Sequence, residues 1–246
     1  MKVNLGITIA FFCLCEMAQA EDYWKDPPDE TSCGDLYSST YGPDFRFARV
    51  MGPKEKRVYF LQDSNGCPKA GESKCRWEEF SPSSYLVPGD RVLVSRKYES
   101  WICGWRVTPE GDEGGWLLVK DLEFIEPDLN PSLEKWIGTW RYNYNVLKIT
   151  LNKETQGLRV VGKAIYRSPR GDYWGKIDAA GEPKGTELRP LEKISEGYCQ
   201  VRFRLIDDSL IVSDNSSCGG PNVRFDGLYQ KENKAVLSDT TGKRKS

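Results

Sequence analysis

The side chains that could do chemistry in this chain are 36 Asp and Glu, 35 Lys and Arg and eight Cys, with no His. The absence of histidine excludes Ser-His-Asp and Cys-His nucleophiles, histidine general bases and nearly all catalytic zinc sites together. No CxxC pair offers a cysteine-only zinc site. Carboxylate chemistry survives, such as a pair flanking a glycosidic bond, as does lysine chemistry. No spacing singles out such a pair, so no catalytic residue, metal ligand or cofactor is assigned.

One stretch has the composition of an anion cradle: "DNSSCGGPNVRFDGLYQK", Asp214 to Lys231. A phosphate loop leads from a strand into a helix N-terminus, where free amides point at the anion. Here Gly219 and Gly220 lead into an alternating strand, and Pro221 lacks an N–H. The expected role is a turn tied by Cys218 to Cys199, with the glycine pair bending the chain so that "NVRFDGLY" closes a barrel. Arg224 projects outward from that strand.

The cysteines point to a compartment. Lys2, the apolar run "LGITIAFFCL" from Leu5 to Leu14 and "AQA" ending at Ala20 form the pattern of a signal peptide over residues 1–20. The run is too short for a membrane span, and neither Cys13 nor Cys15 follows the small residues expected before a lipid-modified cysteine. Six cysteines remain in the mature chain, an even count that reads as disulfides in an exported protein. Cys67 and Cys75 bracket "CPKAGESKC" and form a local pair. Cys199 and Cys218 form a second, which leaves Cys33 for Cys103. Fifteen connectivities are formally open.

The elements that must position these residues are strands. "IEPDLNPSLEKW", with Pro127 and Pro131, separates two strand-rich regions. Residues 21–130 carry 14 Lys and Arg against 21 Asp and Glu, a net −7; residues 131–246 carry 20 against 14, a net +6. Opposite signs allow the acidic half to dock on the basic half, or each half to face its own partner. The whole-chain charge of −1 gives no reason to expect nucleic acid. After an extended lead-in (21–44), short strand patterns run from 45 to 127, among them "SWICGWRV", where Trp101, Cys103, Trp105 and Val107 share a face. After a linker (128–132), residues 133–232 alternate without helical stretches. In "CQVRFRL", Cys199, Val201, Phe203 and Leu205 face one way, and Gln200, Arg202 and Arg204 the other, as in antiparallel sheet with one wet face. Residues 233–246 are too polar to pack and read as a disordered tail.

Two segments resemble known families. "YLVPGDRVLV", followed by an aromatic strand and "GGWLLVKDLEFI", resembles bacterial SH3-like domains over Arg46 to Glu126. That resemblance implies binding of peptidoglycan peptides or proteins in a shallow groove, with Tyr98, Trp101 and Trp105 as aromatic candidates beside Trp116. "WIGTW", Trp136 to Trp140, resembles the first strand of lipocalin- and avidin-like barrels. The arrangement as a whole is similar to exported proteins of Gram-negative bacteria.

The expectation is therefore an all-β chain: an SH3-like small barrel followed by a second antiparallel β-barrel or sandwich. It is expected to act as a non-enzymatic periplasmic or secreted protein that binds a protein or peptidoglycan partner, with an inhibitor or immunity factor as the sharper version. Stable membrane insertion after signal cleavage is not expected. The binding candidates are Tyr98, Trp101, Trp105, Arg202, Arg204 and Arg224. Lys148, Arg159 and Lys163 share the outward face of the second half. The competing readings are a carboxylate-dependent glycan-acting enzyme and a small-ligand carrier, which would need an open barrel interior.

Overall fold

A computed structural model describes Cys33, Lys69 and residues 45–61, 85–108, 111–190 and 199–232. The signal peptide, the rest of the lead-in, the Cys67–Cys75 pair and the tail lie outside these residues. The all-β class is observed, as a five-stranded sheet followed by a nearly closed eight-stranded barrel.

The first region contains β1 (Arg46–Val50), β2 (Val58–Tyr59), β3 (Tyr85–Leu86), β4 (Arg91–Tyr98), β5 (Trp101–Thr108), β6 (Gly111–Leu118) and β7 (Leu122–Phe124). The sheet order is β6-β5-β4-β1-β7, and β2 pairs with β3 separately. Alternation divides the side chains between two apolar faces. Ala48, Val92, Val94, Ile102 and Leu117 pack with Val58, Phe60 and Leu86. Phe47, Leu93, Trp101, Cys103, Trp105 and Trp116 occupy the other face. A Cys33–Cys103 disulfide ties the lead-in to that second face.

The second region opens with one helical turn, α1 (Leu133–Trp136). The strands are β8 (Gly138–Tyr142), β9 (Asn145–Leu151), β10 (Leu158–Ser168), β11 (Gly171–Gly181), β12 (Glu187–Leu188), β13 (Val201–Ile206), β14 (Ser209–Asp214) and β15 (Gly227–Lys231). They run β11-β10-β9-β8-β15-β14-β13-β12, each paired neighbour antiparallel. In "WIGTW", the indole N–H of Trp140 donates to the Trp136 carbonyl at 2.9 Å, and both rings are fully buried in the barrel. Gly138 between them has φ +149°, and a Cβ there would meet the Lys231 side chain at 2.7 Å, so glycine is required. Phe203, Leu205, Leu210, Phe225 and Tyr229 complete a close-packed interior. The small-ligand reading needs an open interior; in the described residues it is filled with side chains.

The two regions share a core. The tryptophan-bearing face of the first sheet packs on Ile206, Ile211 and Leu228, which point outward from β13, β14 and β15. Burying each of these is worth about 1.5–3 kcal/mol. β13 and β14 are consequently buried along their whole length, on both faces. The ion pairs at the seam run against the net charges of the two halves: Arg91 of the acidic half reaches Asp207 and Asp208 of the basic half, each at 2.8 Å. The same guanidinium lies 3.7 Å from the Phe47 ring centroid.

Candidate binding face

The shared core decides the fate of most residues singled out from the sequence. Trp101 is 8% exposed and Trp105 is 2% exposed. Both belong to the seam core, with Trp105 tilted against Phe45 at 5.9 Å. Tyr98 is half-buried, its ring edge-on to Trp116 at 6.3 Å. Phe47, Trp105 and Trp116 thus line an internal contact, while Trp101, part of the same core, also edges a small cavity of about 80 Å³ with Tyr59, Leu61 and Leu118. The side chain of Val107 lies outside the described set.

Arg202 and Arg204 do point outward from β13, but they are not on a wet face: Ile206 beside them packs in the shared core, and the Arg204 guanidinium lies 5.7 Å from the Phe45 ring centroid. Each is only 9% exposed. They converge on Glu187 of β12: Arg202 Nη2 donates to Oε2 at 3.0 Å, and Arg204 Nη2 lies 3.7 Å from the same oxygen. Arg189 pairs with the other oxygen. Burial pushes the Glu187 carboxyl up, but Arg202 and Arg189 outweigh it and hold the group below the ordinary glutamate range. Burial, with Arg202 alongside, lowers the pKa of Arg204. Beside this cluster a cleft of about 670 Å³ is lined by Ala180, Gly181, Glu182, Lys184, Glu187 and Arg189. Arg224 is exposed as expected, but not on a strand: residues 223–226 are irregular and β15 begins only at Gly227, and Arg224 donates to the Ser216 carbonyl at 3.2 Å.

The "CGGPN" turn is structural, though by a different device from the one expected. The left-handed residues here are Asn222 within the turn and Ser216 just before it, at φ 61° and 66°; Gly219 and Gly220 are not among the positive-φ positions. Gly219 instead lies against Gly175 of β11, where a Cβ would sit 2.8 Å from the Gly175 Cα. The Cys199–Cys218 disulfide anchors the turn. Asp214 anchors it a second time, accepting from the backbone N–H of Phe225 and, at 2.6 Å, from that of Ser216. Burial raises the Asp214 carboxyl pKa, against the pull of those amides.

The outward face that remains open belongs to β8–β11. β10 and β11 pair over their full length, Leu158↔Gly181 to Ser168↔Gly171, whereas β9 follows β10 only as far as Lys163. The far half of the β10–β11 hairpin therefore extends past its neighbour. Directly opposed residues share a face, so Lys163 stands across from Lys176, Ile165 across from Trp174, and Val161 across from both Asp178 and Lys148. Trp174 is 45% exposed, Tyr144 55% and Val161 42%. The Lys163 ammonium lies 3.7 Å from the Trp174 ring centroid, and the Arg167 guanidinium 4.0 Å from that of Tyr144. Arg159 is bound to Asp178 through two hydrogen bonds of 2.8 and 2.6 Å, which raise its pKa and lower that of the carboxylate. Lys148, Lys163 and Lys176 form no ion pair among the described residues. On the inner side of the hairpin tip, Tyr166, Arg170 and Tyr173 line a groove of about 370 Å³ with Pro221 and Asn222.

No family model, curated protein or solved structure matches the chain. Of the outward cations expected from the sequence, Lys148, Arg159 and Lys163 lie on this open face. Trp174, Tyr144, Arg167 and Lys176 escaped the sequence reading. The signal was available in "GDYWGKID", where an indole stands at the outward register between Asp172 and Lys176. The two disulfides fit an oxidising, extracellular-type environment. No helix among the described residues is long and apolar enough to cross a membrane.

Proposed function

We propose that this chain is a non-enzymatic binding protein of the periplasm or the secreted space, and that the β8–β11 face receives its partner, a protein or a cell-wall component. The observation that carries this reading is the pair of exposed rings, Trp174 and Tyr144, each with a cation held over it. Exposed aromatics supply large contact area at little entropy cost. A cation already held over a ring loses less freedom when it meets a ligand.

Two further features support binding over the competing readings. The barrel interior is occupied by its own side chains. The buried carboxylate Asp214 accepts from backbone amides that fix a turn. In this reading the rest of the molecule is a rigid mount: a filled barrel, a second sheet docked on its far side, and disulfides at both ends. An inhibitor that blocks a wall hydrolase or a periplasm-acting toxin is the sharpest form of the proposal.

The test is affinity capture from Gram-negative periplasmic extract, in parallel with pulldown on purified peptidoglycan, using wild type and a Trp174→Ala/Tyr144→Ala variant. Retention of a partner or of peptidoglycan by wild type, reduced about tenfold or more in the variant, is the expected result. Equal retention by both proteins would remove the face from the proposal.

A further inference from the structure

We infer that the partner of the β8–β11 face is a protein with an acidic surface that also offers apolar side chains. This rests on the reading that the face is the receiving surface, and it narrows that surface to one class of occupant.

The first ground is charge. Lys163 and Lys176 oppose each other across β10 and β11, and Lys148 lies on the neighbouring strand opposite Val161. Like charges directly opposed on a sheet are destabilising, whereas opposite charges there contribute stability. Here the carboxylate nearest in register, Asp178, is bound to Arg159. The three ammonium groups make no ion pair among the described residues, so the face carries surplus positive charge in the free protein. A carboxylate-bearing surface would relieve the repulsion, and its attraction would also speed encounter.

The second ground separates a protein from an anionic polymer. Between the cations stand Val146, Val161, Ile165 and Trp174. A polysaccharide gains from cations and from bare ring faces on which sugars can stack. Here Trp174 and Tyr144 each carry a cation over the ring. The aliphatic side chains between the cations match apolar groups on a protein partner. Trp174 is of the type that dominates protein-binding hot spots, and the lysines around it suit the polar rim of such an interface.

The experiment measures binding of the whole mature chain to three probes at equal ionic strength: a 4:1 glutamate–tyrosine copolymer, alginate, and phosphatidylglycerol vesicles. The copolymer presents carboxylates with aromatic side chains, alginate presents carboxylates on sugars, and the vesicles present phosphates on a lipid surface. Variants are Trp174→Ala and the triple Lys148→Glu/Lys163→Glu/Lys176→Glu, each checked for a native thermal transition. Wild type should bind the copolymer about tenfold more tightly than alginate or vesicles. Trp174→Ala should erase that preference, and the triple variant should abolish binding to all three probes, since each Lys contributes to salt-sensitive attraction. Equal or tighter binding to alginate or vesicles, lost in the triple variant, would overturn the acidic-protein inference while leaving this face as the receiving surface. Unchanged binding by the triple variant would overturn both.

Discussion

The barrel has two outward faces written in the same alternating code and put to opposite uses. On β13–β15 the outward residues include Arg202, Arg204, Ile206, Ile211 and Leu228; all are buried, and the last three pack on the first sheet. On β9–β11 they include Lys148, Val161, Lys163, Trp174 and Lys176, and Trp174 and Val161 remain 45% and 42% exposed. Both faces mix cations with apolar side chains. What differs is how the cations are neutralised. Arg202 and Arg204 converge on Glu187. Among the described residues, Lys148, Lys163 and Lys176 have no such acid. A covered cation must be paired because burial penalises its charge, whereas an uncovered one can stay unpaired in water.

The most direct way to break this comparison is to truncate one apolar residue on each face. Ile211→Ala should destabilise by about 2–5 kcal/mol, because Ile211 is 1% exposed and its removal leaves a cavity in the seam. Val161→Ala on the open face should fall within about 0.5 kcal/mol of wild type. Urea denaturation of both variants reads the difference. Similar losses would mean that the two faces are equally buried in solution.

Next in size is the disulfide that anchors the turn behind the open hairpin. Cys199→Ala/Cys218→Ala removes a cross-link spanning 19 residues, and the chain-entropy relation puts the loss at about 3 kcal/mol. Because Gly219 in this turn lies against Gly175 of β11, the hairpin tip should also become more open to proteolysis. Limited trypsin digestion, with cleavage mapped at Arg167 and Arg170, tests this. Unchanged digestion would show that the tip stands without the turn.

A smaller effect separates the two ways of carrying charge. Glu187→Gln leaves two buried guanidinium groups with a weaker acceptor and should cost about 1–3 kcal/mol. Its pH dependence has a definite sign. The Glu187 carboxyl is held below its ordinary value in the folded protein. Its stabilisation is therefore fully present above the unfolded pKa and lost as the pH falls through the folded one. Wild type should lose stability between about pH 5 and pH 3 more steeply than Glu187→Gln. Parallel profiles would remove Glu187 from the account of acid sensitivity.

These contrasts show where the sequence was legible. Alternation in "CQVRFRL" correctly sent Arg202 and Arg204 outward, because strand periodicity is local. It could not tell water from a second sheet on that side, because coverage is decided by residues distant in sequence, such as Phe47 and Trp105. The pairing of Cys199 with Cys218 is readable from their place in the last third of the chain, and that of Cys33 with Cys103 by elimination; both disulfides are formed. Strand β11 is hard to read in the sequence: Gly171 and Gly181 bound it, Gly175 interrupts it, and glycine reads as loop. With β11 went Trp174 and Lys176, and hence the juxtaposition that marks the open face. At the turn, Gly219 was correctly assigned a structural part, but its reason is a contact with β11, which only pairing reveals.

The smallest effect is the one whose sign matters most. If Lys163 and Lys176 repel across the open face, replacing one of them with an acid should stabilise the protein, against the usual direction of surface substitutions. Lys176→Glu should gain about 0.2–1 kcal/mol, since a like-charge pair becomes an opposite-charge pair at the same register. Raising the salt should shrink the gain, because both groups are exposed and screened. The Lys163 ammonium is already held 3.7 Å from the Trp174 ring centroid, which puts the expected gain at the lower end of that range. Lys176→Ala should then recover part of the gain by removing the repulsion alone. A loss of stability in Lys176→Glu would mean that the free protein already satisfies this lysine, and the open face would no longer differ from the covered one in how it carries its charge.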